Sequence, residues 1–165
     1  MNLDMDPNTN KNTNKNTIFL IALLLAVVII AGCSQAKNGI DKKGINVTIY
    51  KSELCGCCGL YINYLDDQGY NIKVIKMDDL TSLKEKYNIP STMRSCHTAE
   101  VGGYFVEGHM PQEAIQKLLT DKPDIAGIAL PGMPSGSPGM PGAKQGLFII
   151  YAIGKDGTST EFMRI

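Results

Sequence analysis

The 165-residue chain has no surplus of charge, its 16 Lys plus Arg being balanced by 16 Asp plus Glu. Without a field of one sign to gather a polyanion, nucleic acid is excluded as a partner class. The apolar run near the start, Ile18 to Ala31, falls short of the about 18–20 residues of a spanning helix. The 17 Gly and 8 Pro follow no strict three-residue period, which excludes a collagen-like triple helix. Trp is absent and aromatics make up only 7%, yet 44% of the chain is hydrophobic, too much for a disordered tail. Once the apolar segment is set aside, roughly 130 residues remain, enough for one domain and too few for two. What the chain has in excess is sulfur, in five Cys and eight Met.

Residues 1–17 are polar, with Lys11 and Lys15 just ahead of the apolar run, so residues 1–32 read as a targeting segment and not as fold. The run ends in Ile30-Ala31-Gly32-Cys33, which resembles the lipobox of bacterial-type lipoproteins, where the Cys becomes the lipidated first residue. The alternative is an uncleaved anchor with Cys33 at the membrane surface. Either outcome tethers the domain to the membrane outside the cytoplasm. Residues 33–44 carry Lys37, Asp41, Lys42 and Lys43 without apolar periodicity and suit a solvated tether.

The folded domain is expected over 45–165. Val47 to Tyr50 predicts a strand; Tyr61, Tyr64 and Leu65 mark a helix face that stops at Gly69; Ile72 to Met77 predicts a second strand. Leu80, Leu83 and Tyr87 then recur at helical spacing, with Ser82 and Glu85 placed as a capping box and Asn88 and Pro90 as the stop. Cys96 to Val101 and Tyr104 to Val106 flank Gly102-Gly103, a tight hairpin signal. Pro111 opens a helix that buries Ala114, Ile115, Leu118 and Leu119 and closes at Asp121-Lys122-Pro123. Gly127 to Gly146, rich in Pro, Gly and Met, reads as an ordered loop, and Leu147 to Ile153 with Thr158 to Met163 as a final hairpin around Lys155-Asp156-Gly157. The class is α/β, with a βαβ unit, a short helix and then ββα.

Setting Cys33 aside leaves Cys55, Cys57, Cys58 and Cys96, an even set in a compartment where disulfides persist. Cys55 and Cys58 have the CxxC spacing of thioredoxin-like redox sites, on a strand-to-helix loop where the helix N-terminus favours thiolates. The extra Cys57 departs from that pattern, because a third thiol inside a CxxC can attack the disulfide from within. It is easier to understand as a ligand. Four thiolates around one Zn²⁺ leave a net charge of −2, and adjacent Cys57 and Cys58 are cramped partners at one tetrahedral centre. Four Cu(I) bridged by four thiolates sum to zero, and thiolates select Cu(I) by softness. Metal, disulfide and redox readings all remain open on the residues alone.

Val47 to Ser52, Cys55-Gly56-Cys57-Cys58, Arg94-Ser95-Cys96-His97-Thr98-Ala99, Glu107-Gly108-His109 and Pro131 to Met140 resemble, in order and spacing, a predicted metal-binding domain family that includes the CopG copper-resistance proteins. The resemblance covers about Ile45 to Ile150. It implies a thioredoxin-like fold, an extracytoplasmic location, and copper held by Cys55, Cys57, Cys58 and Cys96. Where that family commonly carries Trp after the Cys cluster, this chain has Leu60-Tyr61, and Met110 stands where a small aliphatic residue is usual.

Further candidates are weighed against plainer roles. His97 is a ligand or hydrogen-bond partner of a thiolate, or else a strand residue facing solvent. His109 reads as a helix cap. Met133 and Met140 are thioethers suited to Cu(I), or else plugs holding the loop on the core. Pro90 is a candidate cis-proline, with a helix-stopping trans-proline as the plainer role. The reading is a membrane-tethered copper-handling protein holding a polynuclear Cu(I) thiolate cluster, with copper ions, a copper chaperone or a redox protein as partners. No catalytic residue is assigned. A thiol-disulfide oxidoreductase using Cys55 and Cys58 is the alternative, and a disulfide-stabilised interaction module presenting the Gly127 to Gly146 loop is a third.

Overall fold

The computed structural model of the chain describes residues 44–165. The expected targeting segment 1–32, Cys33 and all but the end of the tether 33–44 lie outside the described residues. Val47 and Ile49, two residues apart and both buried, give β1 (Asn46–Ser52) its inward face. Helix α1 (Cys58–Asp67) buries Cys58, Tyr61 and Leu65 at helical spacing. Strand β2 (Asn71–Met77) returns parallel to β1 as the edge of the sheet, where exposed Lys73 and Lys76 discourage further pairing. Then follow α2 (Thr81–Lys86), a 3₁₀ turn at Ser91–Met93, the hairpin β3 (His97–Val101) and β4 (Tyr104–Glu107), and α3 (Gln112–Asp121). Gly102 and Gly103 both have positive φ, +58° and +87°, as a two-residue hairpin connection requires. The chain ends with β5 (Gly127–Ala129), β6 (Ile149–Ile153) and β7 (Ser159–Arg164), the last two forming the hairpin expected around Lys155-Asp156-Gly157.

The seven strands form one mixed sheet in the order β2-β1-β3-β4-β5-β6-β7. The pairs β1/β2 and β4/β5 are parallel and the rest antiparallel. Strand alternation divides the core between the two faces. Val106 and Ile128 pack on one face with Tyr61 and Leu65 of α1 and Ile115 and Leu118 of α3. Their neighbours Phe105 and Ala129 pack on the other with Ile89 and Ile153, against Tyr87 and Met93.

Three expectations need correction. Strand β5 lies inside the segment read as loop; three residues are too few to display alternation, and its Gly-Ile-Ala is buried throughout. Helix α2 is not started by a Ser82–Glu85 capping box: Thr81 donates from its N–H and its hydroxyl to Asp79 Oδ1, at 2.9 and 2.7 Å, so an Asx turn starts the helix. The residue of α2 that is buried is Lys84, at 5% exposure, while Leu83 is only half-buried. No cis peptide occurs among the described residues, so Pro90 is trans. Nor is any helix among them long and apolar enough to cross a membrane.

Gly127 admits no side chain, because a Cβ would lie 2.2 Å from the Phe105 carbonyl oxygen and 2.6 Å from the Phe105 ring. Gly127→Ala therefore destabilises the domain by about 1–3 kcal/mol through overpacking, although alanine suits the extended backbone. A urea midpoint lowered at constant slope is the expected result, and an unchanged midpoint contradicts this packing.

Candidate metal and thiol centre

Register carries the two cysteine segments to the same place. Strand β3 runs antiparallel to β1 with Lys51 opposite His97, so the end of β1 and the start of β3 lie side by side. Beyond β1 the chain turns, Cys55 N–H donating to Ser52 O at 3.2 Å, and enters α1 with Cys57 at the N-cap and Cys58 as first residue. Cys96 stands one residue before β3. The four Sγ atoms of Cys55, Cys57, Cys58 and Cys96 lie within 4.8 Å of one another. Cys96 Sγ is 2.8 Å from Cys55, 3.6 Å from Cys58 and 4.0 Å from Cys57, and Cys55 is 3.8 Å from Cys57. Cys55 and Cys58 form a disulfide, whereas Cys57 and Cys96 are free thiols. The four are therefore not consumed in two structural disulfides. Cys58 is fully buried and the other three are half-buried, so the group opens to solvent on one side.

Burial pushes the Cys96 thiol up to about 11, with the neighbouring Cys57 adding to the rise. On the buried side, Cys58 Sγ is 3.7 Å from His97 Nδ1. His97 does not face solvent; strand alternation turns it toward α1, where it is fully buried. Burial first, then His109 and Lys84, pull its pKa down to about 3, so it is a neutral imidazole at neutral pH. Tyr61 makes a triangle with the two imidazoles, 5.0 Å centroid to centroid from each, and the His97 and His109 rings meet edge to face at 5.3 Å. Tyr61, of the Leu60-Tyr61 pair noted above as a departure from the family pattern, anchors this group of rings by donating its hydroxyl to Met110 O at 3.2 Å.

His109 is not a helix cap. Helix α3 has Pro111 at its N-cap with no side-chain cap bond, and His109 instead donates from Nδ1 to the Pro138 carbonyl at 2.6 Å. A carbonyl can only accept, so Nδ1 carries the proton and Nε2 a lone pair. The Pro/Gly/Met loop thus sits against the centre, and Gly139 tightens the contact: a Cβ there would be 2.7 Å from the Tyr61 amide nitrogen. Next to it Met140 lines a groove of about 480 Å³ with Leu60, Asn63 and Tyr64 of α1. Met133 is half-buried in the same loop, at φ +44°.

Two charged residues behind the cysteines were given no role in the sequence reading, although Glu107 stands in one of the motifs that carry the resemblance. Lys84 and Glu107 form a buried ion pair at 2.5 Å, directly beneath Ser95 and Thr98. Lys84 stands four residues after Leu80, at helical spacing, and Glu107 prolongs the apolar run Tyr104-Phe105-Val106. Those positions were the available signal.

A family profile described as "Protein of unknown function, DUF411" matches residues 93–140. Two solved structures are similar over most of the chain. "Copper resistance protein copG- Form 1" is 33% identical, with 73% of this chain and 97% of that one covered at a TM-score of 0.67. "Copper resistance protein copG- Form 2" is 32% identical, with 74% and 99% covered at a TM-score of 0.68. No curated protein matches the chain.

Both histidines are held neutral, His109 also having its pKa lowered by burial. Their folded values lie below the unfolded one, so the unfolded chain takes up protons first as pH falls through about 6.5. Metal-free protein accordingly loses stability from about pH 6.5 downward, in addition to the general effect of protonating carboxylates. Denaturant melts at pH 7 and pH 5 check this: His109→Gln narrows the difference between the two pH values, and an equal difference in variant and wild type contradicts it.

Proposed function

The chain belongs to the CopG copper-resistance protein family, and from that premise we propose that it handles copper by taking up Cu(I) at Cys55, Cys57, Cys58 and Cys96 as a polynuclear thiolate cluster. The observation that carries the proposal is the convergence of four sulfurs within 4.8 Å. Two thiolates on one ion at about 2.3 Å each stand no more than about 4.6 Å apart, a limit that the pairs Cys55–Cys57, Cys57–Cys96 and Cys58–Cys96 meet at 3.8, 4.0 and 3.6 Å. Charge supports more than one Cu(I). A fully buried Cys58 disfavours the net −2 of four thiolates around a divalent ion, whereas bridged Cu(I) neutralises them.

Around the sulfurs, neutral His97 suits a hydrogen bond to the Cys58 thiolate or a place among the ligands. Met133 and Met140 belong to the loop seated on the first turns of α1, the helix that begins at Cys58, and are the soft side chains such a cluster would recruit. The Cys33 lipid or an uncleaved anchor tethers the domain outside the cytoplasm, where copper chaperones or redox proteins exchange metal or electrons with it.

A second reading rests on the Cys55–Cys58 disulfide, which has CxxC spacing at a helix start. A thiol-disulfide oxidoreductase needs only those two sulfurs. Disulfide reduction by metal-free protein that persists in Cys57→Ser, Cys96→Ser supports it, and loss of that activity removes it.

Anaerobic titration of the reduced protein with Cu(I) against a competing chelator tests the copper reading. We expect more than one tightly held copper per chain, a lower stoichiometry in Cys96→Ser, and none in the variant with all four cysteines changed to Ser. Weak binding that the substitutions leave untouched overturns it.

A further inference from the structure

A buried ion pair is a poor stabiliser, since well-packed apolar residues in its place are often neutral or better. What distinguishes the Lys84–Glu107 pair is the set of groups it holds. Glu107 is fully buried at the end of β4, directly opposite Thr98 of β3. Its Oε1 accepts from the Ser95 amide at 2.5 Å, the Ser95 hydroxyl at 3.0 Å and the Lys84 ammonium at 2.5 Å. Its Oε2 accepts from the Thr98 hydroxyl at 2.7 Å. The remaining contacts of Lys84 Nζ go to Thr98 Oγ1 at 2.9 Å and to the His97 carbonyl at 3.3 Å, and Ser95 Oγ also approaches that carbonyl at 2.8 Å.

Every one of these partners besides the pair itself is Ser95, His97 or Thr98. Cys96 is the residue they enclose, and it precedes the first ladder residue of β3, so the sheet does not fix it. An apolar pair could fill the same volume but could not hold an amide and a hydroxyl on one side of Cys96 and a carbonyl on the other.

We propose that Lys84 and Glu107 are positioning residues that clamp the segment 95–98 from behind and so aim Cys96 Sγ at the sulfurs of the Cys55 to Cys58 loop. Alternation along β3 makes this possible: His97 turns to the α1 side and Thr98 to the α2 side, and Cys96 is gripped between the held Ser95 and the held His97 carbonyl. The consequence for copper rests on the proposed function. The aiming of the sulfur does not, and it is measurable without metal.

The test uses the full chain with Cys58→Ser as background, so that oxidation of reduced, metal-free protein with diamide closes Cys55 onto Cys96. That step forms one S–S bond, and the two thiol protons and two electrons pass to diamide, which becomes the hydrazine. In this background Lys84→Met with Glu107→Leu replaces the clamp by apolar groups, while Ser95→Ala removes one hydroxyl and leaves the core intact. Closure followed by peptide mapping should slow by up to about 100-fold in the double replacement, as for a sulfur displaced by about 1 Å, and less in Ser95→Ala. With all four cysteines present, Cu(I) affinity should fall about 10- to 100-fold. A double replacement that melts cooperatively yet closes Cys55–Cys96 at the background rate overturns the proposal. Should the double replacement not fold, background-rate closure in Ser95→Ala overturns it. Slowed closure together with no copper binding by wild type sustains the clamp and removes the copper reading instead.

Discussion

The pairing of Lys51 with His97 is the constraint from which the centre follows. It sets the last turn of β1 beside the entry to β3, joining Cys55 and Cys96 across a separation of 41 residues. A slip of one residue would exchange the faces of β3. His97 would then leave Tyr61 and His109, and Thr98 would leave Glu107. The register is secured away from the centre, by Val47, Ile49, Ala99 and Val101 packing into one core. The apolar part of the sheet thus does for the sulfurs what the short cysteine loop could not do alone, since Cys55 and Leu54 tie it to β1 through Ser52 alone among the described residues.

Local features were legible in the sequence, and features that depend on register were not. Gly102-Gly103 announces its hairpin because both residues need left-handed backbone, and CxCC announces a strand-to-helix loop because its spacing is local. Alternation gave β1, and the spacing of Ala114, Ile115, Leu118 and Leu119 gave α3. Nothing local distinguishes His97 turned inward from His97 turned outward; that depends on which face of β3 meets α1. His109 was misread for the same reason, its carbonyl partner lying 29 residues away in a loop. Lys84 and Glu107 are harder still, because each is costly inside a protein alone and tolerable only with the other. Strand β5 was hidden because Gly127 is selected by contact with Phe105 and not by strand propensity.

The two sides of β3 divide the work around the sulfurs. On the α1 side, Tyr61 and two neutral imidazoles make a dry aromatic wall, joined through His109 and Pro138 to the Met-bearing loop. On the α2 side lies a charged lattice with its hydrogen bonds satisfied. Soft, polarisable groups therefore face the sulfurs where copper is proposed to bind, and the hard ions are kept behind the backbone, where they tie it down without offering oxygen to a metal.

The two chemical readings are coupled because they use the same atoms. A closed Cys55–Cys58 disulfide withdraws two of the four sulfurs from any metal, and a bound cluster withdraws the same two from disulfide formation. Copper binding only the reduced form stabilises that form by about 4.1 kcal/mol when free metal stands at about 1,000 times its dissociation constant. For a two-electron couple this raises the potential of the Cys55–Cys58 pair by about 90 mV. On the proposed reading copper would then protect the thiols that hold it, and an oxidant strong enough to close the disulfide would expel it. Cys96 lies within 4.0 Å of all three other sulfurs, so what holds its backbone bears on the metal reading, whereas the disulfide reading draws on Cys55 and Cys58 alone.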